Sequence, residues 1–319
     1  MDSLSDNFLF RRLQSPFSCL IINLAIGDLG TSCLHIMVVV SSFKGKWAFG
    51  STGCVFYAFG VGFFGMMSIF TLAAISVERY LVITSRPLSS WKLTRRGARK
   101  ICFFSWIYCT SLVTPPLFGW SRYTLEGLLT SCSWDYTTKT VSNTVYYLYL
   151  LGFGFIVPVA VITYCYTSIV SAVFAHGREM AGVDMTSGRS GNSGVGKSTS
   201  LNNAHSTSLK TAEIIFILIA FFFLSWTPYA VITFIGHFGP EGILNPWITA
   251  MPAYFAKMSV IYNPIVYGLS HPHFQSSVKQ YLSTWMASSS NNSKDNEEPT
   301  TGRNAAVALN PIKHDQHFR

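Results

Sequence analysis

A single lysine lies in the middle of an apolar run. The run is Pro246 to Ser270, PWITAMPAYFAKMSVIYNPIVYGLS, and Lys257 is its one charge. At about 1.5 Å per residue, its amine lies roughly 15 Å from either end, too deep for the side chain to snorkel easily. At mid-bilayer depth such a charge costs roughly 2.5–3.5 kcal/mol on insertion scales. Two chemistries would keep it there. One is a buried ion pair with a carboxylate. The other is an amine that is chemically consumed, most simply as a Schiff base with an aldehyde. A second pair of reactive groups is Cys54 and Cys132. The other five of the seven cysteines fall in or beside apolar runs, where a thiol is a small hydrophobe. Cys54 and Cys132 lie on the face that the loop charges mark as outer, the oxidising side, and are candidates for a disulfide.

The elements that must position these groups are membrane helices. The chain is 49% hydrophobic and only 12% charged, where a soluble domain carries about 25% charged residues. Its apolar runs are too long for barrel strands. Six spans are expected, at about 17–42, 54–80, 99–119, 143–174, 210–236 and 246–270. Pro158 and Pro228 inside two of them mark kinks. The net charge of +9 reads as topology rather than as a nucleic-acid surface. Arg11, Arg12, Arg86, Arg95, Arg96, Arg99, Lys100, Lys210 and Lys279 fall in one set of alternating loops, whereas Lys44, Lys46, Arg122 and Lys139 fall in the other. The first set is cytoplasmic by the positive-inside rule, so the C-terminus is expected inside.

Residues 182–208 read as a Gly/Ser/Asn-rich cytoplasmic linker. Within it, GNSGVGKS from Gly191 to Ser198 matches the phosphate-loop pattern. That loop needs a strand before it and a helix behind it. Polar low-complexity sequence lies on both sides, so no nucleotide site is expected. Residues 274–286, with Phe274, Val278, Tyr281, Leu282 and Trp285 at three- and four-residue steps, predict a short amphipathic helix on the inner membrane surface. Residues 287–319 predict a disordered cytoplasmic tail.

Several motifs coincide in order and spacing. Asn23-Leu24-Ala25-Ile26-Gly27-Asp28 opens the series and Glu78-Arg79-Tyr80 ends the second span. Trp106 lies in the third, Ser225-Trp226-Thr227-Pro228 in the fifth, and Asn263-Pro264-Ile265-Val266-Tyr267 follows Lys257. Together they resemble the rhodopsin-like G-protein-coupled receptors over roughly residues 10–286. A lysine six residues before the Asn of the Asn-Pro-x-x-Tyr match narrows the resemblance to opsins. LLTSCSWDY, SWTPY, NPIVYGLSHP and TSRPL look most like melanopsins and invertebrate rhabdomeric opsins.

The resemblance implies a seven-helix, all-α receptor bundle that binds retinal covalently at Lys257 and senses light. It implies Glu126 as the counterion, drawn inward by a Cys54–Cys132 bridge. Tyr57 stands where many vertebrate visual opsins carry a Glu and is a hydrogen-bond partner of the Schiff-base region. A pocket of Gly65, Phe155, Trp226, Tyr229 and Ala253 follows by position. So does a switch of Glu78, Arg79, Tyr80, Tyr166, Asn263, Pro264 and Tyr267, with a polar network through Asn23 and Asp28. Isomerisation of cis-retinal to the all-trans form would open a groove for a heterotrimeric G protein, Gq-type by resemblance. Arrestin and a receptor kinase would act at tail sites such as Ser288 and Thr300. The location implied is the plasma membrane, crossed several times, as a photoreceptor-type membrane. The competing readings are a retinal photoisomerase that signals little, and a non-functional fragment.

The chain also departs from the family. Seven spans are expected of an opsin and six are evident here, with residues 1–16 resembling the end of the first helix and the first cytoplasmic loop. Ser208 stands where many relatives carry an acid that pairs with Arg79. His271-Pro272-His273 differs from the His-Pro-Lys of rhabdomeric opsins, a change that bears on the G-protein contact.

Overall fold

The computed structural model describes residues 15–84, 93–186, 195–240 and 242–270, together with Ser283 and Met286. The chain divides into a unit Met1–Ser270 and a tail His271–Arg319. The expected remnant at 1–16 lies outside the described residues except for Ser15 and Pro16. The expected amphipathic helix and tail also lie outside them except for Ser283 and Met286.

Helices begin where short polar side chains cap the first turn. Ser15 accepts from the Ser18 amide to start α1 (Pro16–Phe43), with Pro16 in the first turn. The second helix is α2 (Gly50–Thr84). Thr94 caps α3 (Arg95–Val113), which ends in a tight turn at Pro115–Phe118. Thr140 caps α4 (Val141–Tyr149), and Asn245 caps α7 (Pro246–Lys257) with its side-chain oxygen on two amides. Each cap satisfies donors that the first helical turn leaves orphaned, typically about 1 kcal/mol apiece.

The expected span at 143–174 is built in three parts. After α4 the chain widens into a π-helical segment at Leu150–Ile156, and α5 (Val157–Thr186) follows. The Val157 amide reaches the Gly152 carbonyl, one residue further back than in an α-helix. Pro158 has no N–H to give, so the ladder is disturbed at this point.

Two expectations are corrected. The linker expected at 182–208 is partly helical. The fifth helix runs on to Thr186, and α6 (Val195–Phe238) already begins at Val195. Once a span is nucleated, adding a turn costs little, even through Ser, Thr and Asn. Val195–Ser198 of the phosphate-loop pattern form the first turn of α6, and the preceding element is a helix, not a strand. The second correction concerns the run at 246–270, which is not one helix. It breaks at Met258 into α7 and α8 (Ser259–Ser270). The Met258 amide is shared between the Tyr254 and Phe255 carbonyls, and the Ile261 amide bonds back only to Met258. Pro264, inside α8, cannot bond the Val260 carbonyl four residues earlier, so the ladder is also weakened just past the break.

Four stretches among the described residues are long and apolar enough to cross a membrane: Pro16–Phe43, Gly50–Thr84, Val141–Ala175 and Ala212–Phe238. The Arg95–Val113 helix carries four cations at its start, and α7 and α8 are each too short alone. Leu29, Ile36, Phe103, Phe174 and Leu224 point outward and are more than half exposed. In water that surface would be an aggregation liability; in a bilayer it is the lipid face. Inside, α2 packs against α1, α3 and α5, and α6 packs against α7 and α8. The inner half is closed by Leu20, Leu72, Ile75, Tyr166, Leu218 and Phe222.

Between α3 and α4 the chain folds back as a hairpin, β1 (Tyr123–Glu126) antiparallel to β2 (Ser131–Trp134), with Glu126 opposite Ser131. Cys132 in β2 is bonded to Cys54 in α2, with Cα atoms 5.5 Å apart. The hairpin tip is tied at 2.8 Å from the Trp47 amide to the Leu129 carbonyl. Gly127 there has φ +56°, and a Cβ would come 2.9 Å from the Ala250 methyl. Only glycine meets both demands, so the hairpin lies directly on α7.

Candidate functional site

Lys257 is the last residue of α7, and the hairpin meets it. Its ammonium donates to Ser131 Oγ at 2.6 Å and lies 3.6 Å from Glu126 Oε2. The Glu126 side chain is 2% exposed and that of Lys257 13%. The carboxylate is divided in use, because the Tyr136 hydroxyl donates to its other oxygen, Oε1, at 3.2 Å. At an effective dielectric near 20, two charges at this separation attract by about 4–5 kcal/mol. That offsets part of the cost of burying both, and removing either partner would strand the other. The structure therefore places a buried ion pair where the sequence posed two alternatives. A pair of this kind still leaves the amine adjacent to open space.

That space is an apolar cavity of about 170 Å³ on the bundle side of the hairpin. Gly65, Phe155, Trp226, Tyr229 and Ala253 all line it, as does Lys257. Gly65 keeps one wall flat, since a Cβ there would lie 3.2 Å from the Trp226 ring. Trp226 stacks on Phe222 with centroids 5.6 Å apart and donates to Ser259 Oγ at 3.2 Å. Tyr229 is bonded to Ser133 Oγ at 2.8 Å. Tyr57 is fully buried, with its ring 5.6 Å from the Lys257 nitrogen. Neither Tyr57 nor Glu126 lines the cavity; both flank the lysine from behind.

The site also recruits residues that the sequence does not single out. Ser131, Ser133, Trp134, Tyr136 and Tyr254 sit around the amine or the cavity. Four of them lie on the hairpin or just after it, where no helical period announces a direction. The one available signal is their adjacency to Cys132. His35 in α1 is a further case: its ring is 6.4 Å from Tyr57, and Nε2 is buried with no hydrogen-bond partner among the described residues.

The loop after β2 is held by Asp135. Burial works against its carboxylate, but hydrogen bonds from the Thr138 side chain and backbone, Arg122 and Thr137 outweigh it and hold the pKa down to about 2. The native state thus prefers the ionised form, and its contribution to stability is present above the ordinary carboxylate range of about 4. It is lost as the pH falls from there towards about 2. Asp135→Asn should remove this acid dependence. Thermal unfolding of both proteins between these pH values checks it, with the variant less stable at neutral pH and the difference shrinking in acid. Tyr136 next to it is shifted the other way. Burial, then the Glu126 charge, pushes its phenol well above the ordinary value, so it stays a donor to Glu126.

Toward the inner face, the switch residues are partly brought together. Arg79 Nε pairs with Glu78 Oε2 at 2.5 Å, and its guanidinium lies 4.3 Å over the Phe17 ring. Tyr80 packs against Tyr164, and the Tyr166 hydroxyl donates to the Ala212 carbonyl at 3.3 Å. Asn263 donates to Asp28 Oδ1 at 2.8 Å, joining α8 to α1. Asn23 instead serves Thr71 and Trp106, donating at 2.8 Å and accepting at 2.9 Å. It is thus a second polar contact, bonded to other partners. Pro264 is exposed in α8. The side chains of Tyr267 and Ser208 lie outside the described residues.

The profile of the 7 transmembrane receptor (rhodopsin family) matches residues 7–267. The chain belongs to the rhodopsin family. Its relatives among these receptors include "Rhodopsin, GQ-coupled" of Mizuhopecten yessoensis, 39% identical over 85% of this chain and 53% of that protein. Melanopsin of Homo sapiens is 38% identical over 85% of this chain and 56% of that one. The chain thus spans about half the length of the curated relatives it matches. The crystal structure of squid rhodopsin superposes with a TM-score of 0.78 at 35% identity, over 86% of this chain and 77% of the squid chain. A rhodopsin-family fold makes this a membrane protein, and the relatives are receptors rather than enzymes. Its Cys54–Cys132 bridge and its order of helices fit that fold.

Proposed function

We propose that this receptor is a light sensor of the melanopsin and rhabdomeric-opsin kind, which carries retinal on Lys257 and signals to a heterotrimeric G protein. The observation that carries the reading is the Lys257 amine facing an apolar, aromatic cavity with a buried carboxylate 3.6 Å behind it. A long, flat, apolar aldehyde fits such a site: the cavity supplies a smooth wall at Gly65 and ring faces at Trp226 and Tyr229, and the amine supplies the one covalent anchor. Retinal, when bound there as a Schiff base, supplies the light-absorbing polyene and a change of shape on cis-to-trans isomerisation.

The chain's own residues do the rest. Glu126 neutralises the cationic nitrogen, since an unpaired cation at this depth would give up its proton. Tyr136 and Ser131 hold the carboxylate and the nitrogen in register. Tyr57 closes the site on the α2 side and excludes water. Trp226 senses the cavity and passes its position to Ser259, one residue past the helix break. The inner-face groups around Arg79, Tyr166 and the Asp28–Asn263 bond have two packings to choose between, and the preferred one depends on the shape of what fills the cavity.

The scallop relative is named Gq-coupled, which favours a Gq-type partner at the cytoplasmic face. On this reading the receptor lies in the plasma membrane with its C-terminus inside, where arrestin and a receptor kinase would meet the tail. The test is light-dependent nucleotide exchange. Membranes containing the protein, loaded with cis-retinal in the dark, should accelerate GDP release from a Gq-class heterotrimer only after illumination. Light-driven isomerisation without exchange would replace signalling by a photoisomerase.

A further inference from the structure

The outer end of α6 carries a buried histidine that the proposed mechanism leaves unused. His237 is 3% exposed, and its ring lies flat on Tyr147, 1° from parallel with centroids 4.9 Å apart. Nδ1 is 3.2 Å from the Tyr136 carbonyl oxygen, and Nε2 is 2.9 Å from Thr144 Oγ1. A carbonyl only accepts, so Nδ1 carries a proton. At Nε2 the hydroxyl decides. Thr144 Oγ1 donates its one proton to the Thr140 carbonyl at 3.0 Å. While that bond is kept, Nε2 must donate too, and the ring is a cation over the Tyr147 face. For a neutral ring, Thr144 turns its hydroxyl to Nε2. The Thr140 carbonyl then still holds the Thr144 amide at 2.9 Å. The two protonation states differ by one hydroxyl rotation, so the site is built to accept both.

Tyr136 links this histidine to the lysine. His237 grips its backbone. Gly236, in the same turn of α6, lets its ring approach so closely that a Cβ would come within 3.0 Å. Its hydroxyl ends on Glu126 Oε1. The charged and titratable groups around His237 come from each neighbouring element. Lys139 donates to the carbonyl of Gly239, two residues past His237. Asp135, fixed by Arg122, directly precedes the Tyr136 whose carbonyl His237 meets. Tyr147 offers its ring face from α4, and Glu126 and Lys257 lie beyond Tyr136.

We propose that His237 is a positioning residue for Glu126, acting through Tyr136, so that protonation from the outer side adjusts how the carboxylate neutralises Lys257. The proposal rests on Glu126 being the charge partner of Lys257, as argued under Proposed function. It makes the light-sensing site responsive to external acidity.

The experiment has two arms. In the first, the retinal-free protein carrying 15N-histidine is titrated by NMR, with His237 assigned from the signal lost in His237→Asn. Nδ1 should stay protonated throughout while Nε2 titrates. Glu126→Gln should displace that titration, since coupling between two sites is reciprocal. In the second, the dark absorption band is followed after loading with cis-retinal. The unmodified protein's band should move with pH over the range in which the first arm shows Nε2 to titrate. His237→Asn keeps a donor at the Nδ1 position, so its band should form and stay fixed across that range. His237→Phe, which loses the grip on Tyr136, should give a displaced band. A band that follows pH equally in His237→Asn, or a His237 titration untouched by Glu126→Gln, overturns the proposal. If no band forms in any variant, the retinal reading fails, and the first arm alone still decides whether His237 and Glu126 are coupled.

Discussion

Lys257→Ala should abolish every trace of visible absorbance after incubation with cis-retinal in the dark. The effect is all or nothing, because among the described residues no other primary amine lines the cavity. The variant needs a control for folding. Removing the ammonium strands the Glu126 carboxylate, which is 2% exposed and would be left to neutral phenols, Tyr136 and Tyr229. A stranded buried charge costs about 3–5 kcal/mol, enough to unfold a marginal protein. The double variant Lys257→Ala, Glu126→Gln removes both charges and should recover most of that loss while remaining colourless. A colourless but folded double variant ties the band to the amine. A band that persists in either variant would falsify the assignment of Lys257, whatever the homology of the chain. Colour absent from the unmodified, folded protein would remove retinal from the proposal altogether.

The second large effect is expected at the bridge between α2 and β2. Cys54→Ser and Cys132→Ser should each lower stability by the same amount, and the double variant should cost no more than either alone. Residues that act as one unit are non-additive in this way. The bridge closes a segment of 78 residues, for which the chain-entropy relation gives about 4–5 kcal/mol in a freely unfolding chain. In a bilayer the unfolded reference keeps its helices, so the measured loss should fall at the lower end of the usual range of about 2–5 kcal/mol. Thermal unfolding in detergent reads it directly. Function should suffer more than stability. The same strand delivers Ser131 to Lys257, Ser133 to Tyr229 and, through its pairing, Glu126 to the ion pair. Additive losses from the two single variants would mean that the cysteines act separately.

The reach of the sequence can be judged from these same residues. Lys257 was legible because one charge in an apolar run is expensive, and Cys54 and Cys132 because they fall outside such runs. Glu126 is singled out through Cys132, since a bridge that pins the outer loop draws its neighbours inward. What lay beyond reading falls into two kinds. Ser131, Ser133, Tyr136 and His237 act through hydroxyls, a carbonyl and a ring that meet only after the hairpin folds over α7. No spacing in the chain encodes those meetings. The break at Met258 is the other kind. Methionine is an ordinary helix former, and nothing in its type announces an interruption there. The early start of α6 at Val195 is hidden for the opposite reason. Its Ser, Thr and Asn residues are weak helix formers that continue a helix already nucleated by the apolar span.

The break at Met258 has a mechanical meaning. Had Pro246–Ser270 been an unbroken rod, a push on Lys257 would travel along its axis and arrive at Asn263 as a translation. The interruption immediately after the lysine makes a joint of it, with Lys257 on one limb and Ser259 and Asn263 on the other. Such a joint converts a push into a turn. The far limb is loaded at two points, by the Trp226 indole on Ser259 and by Asp28 on Asn263. Torque about Met258 therefore works on both bonds at once, one to α6 and one to α1. A small displacement at the amine is geared into a rotation of the inner limb.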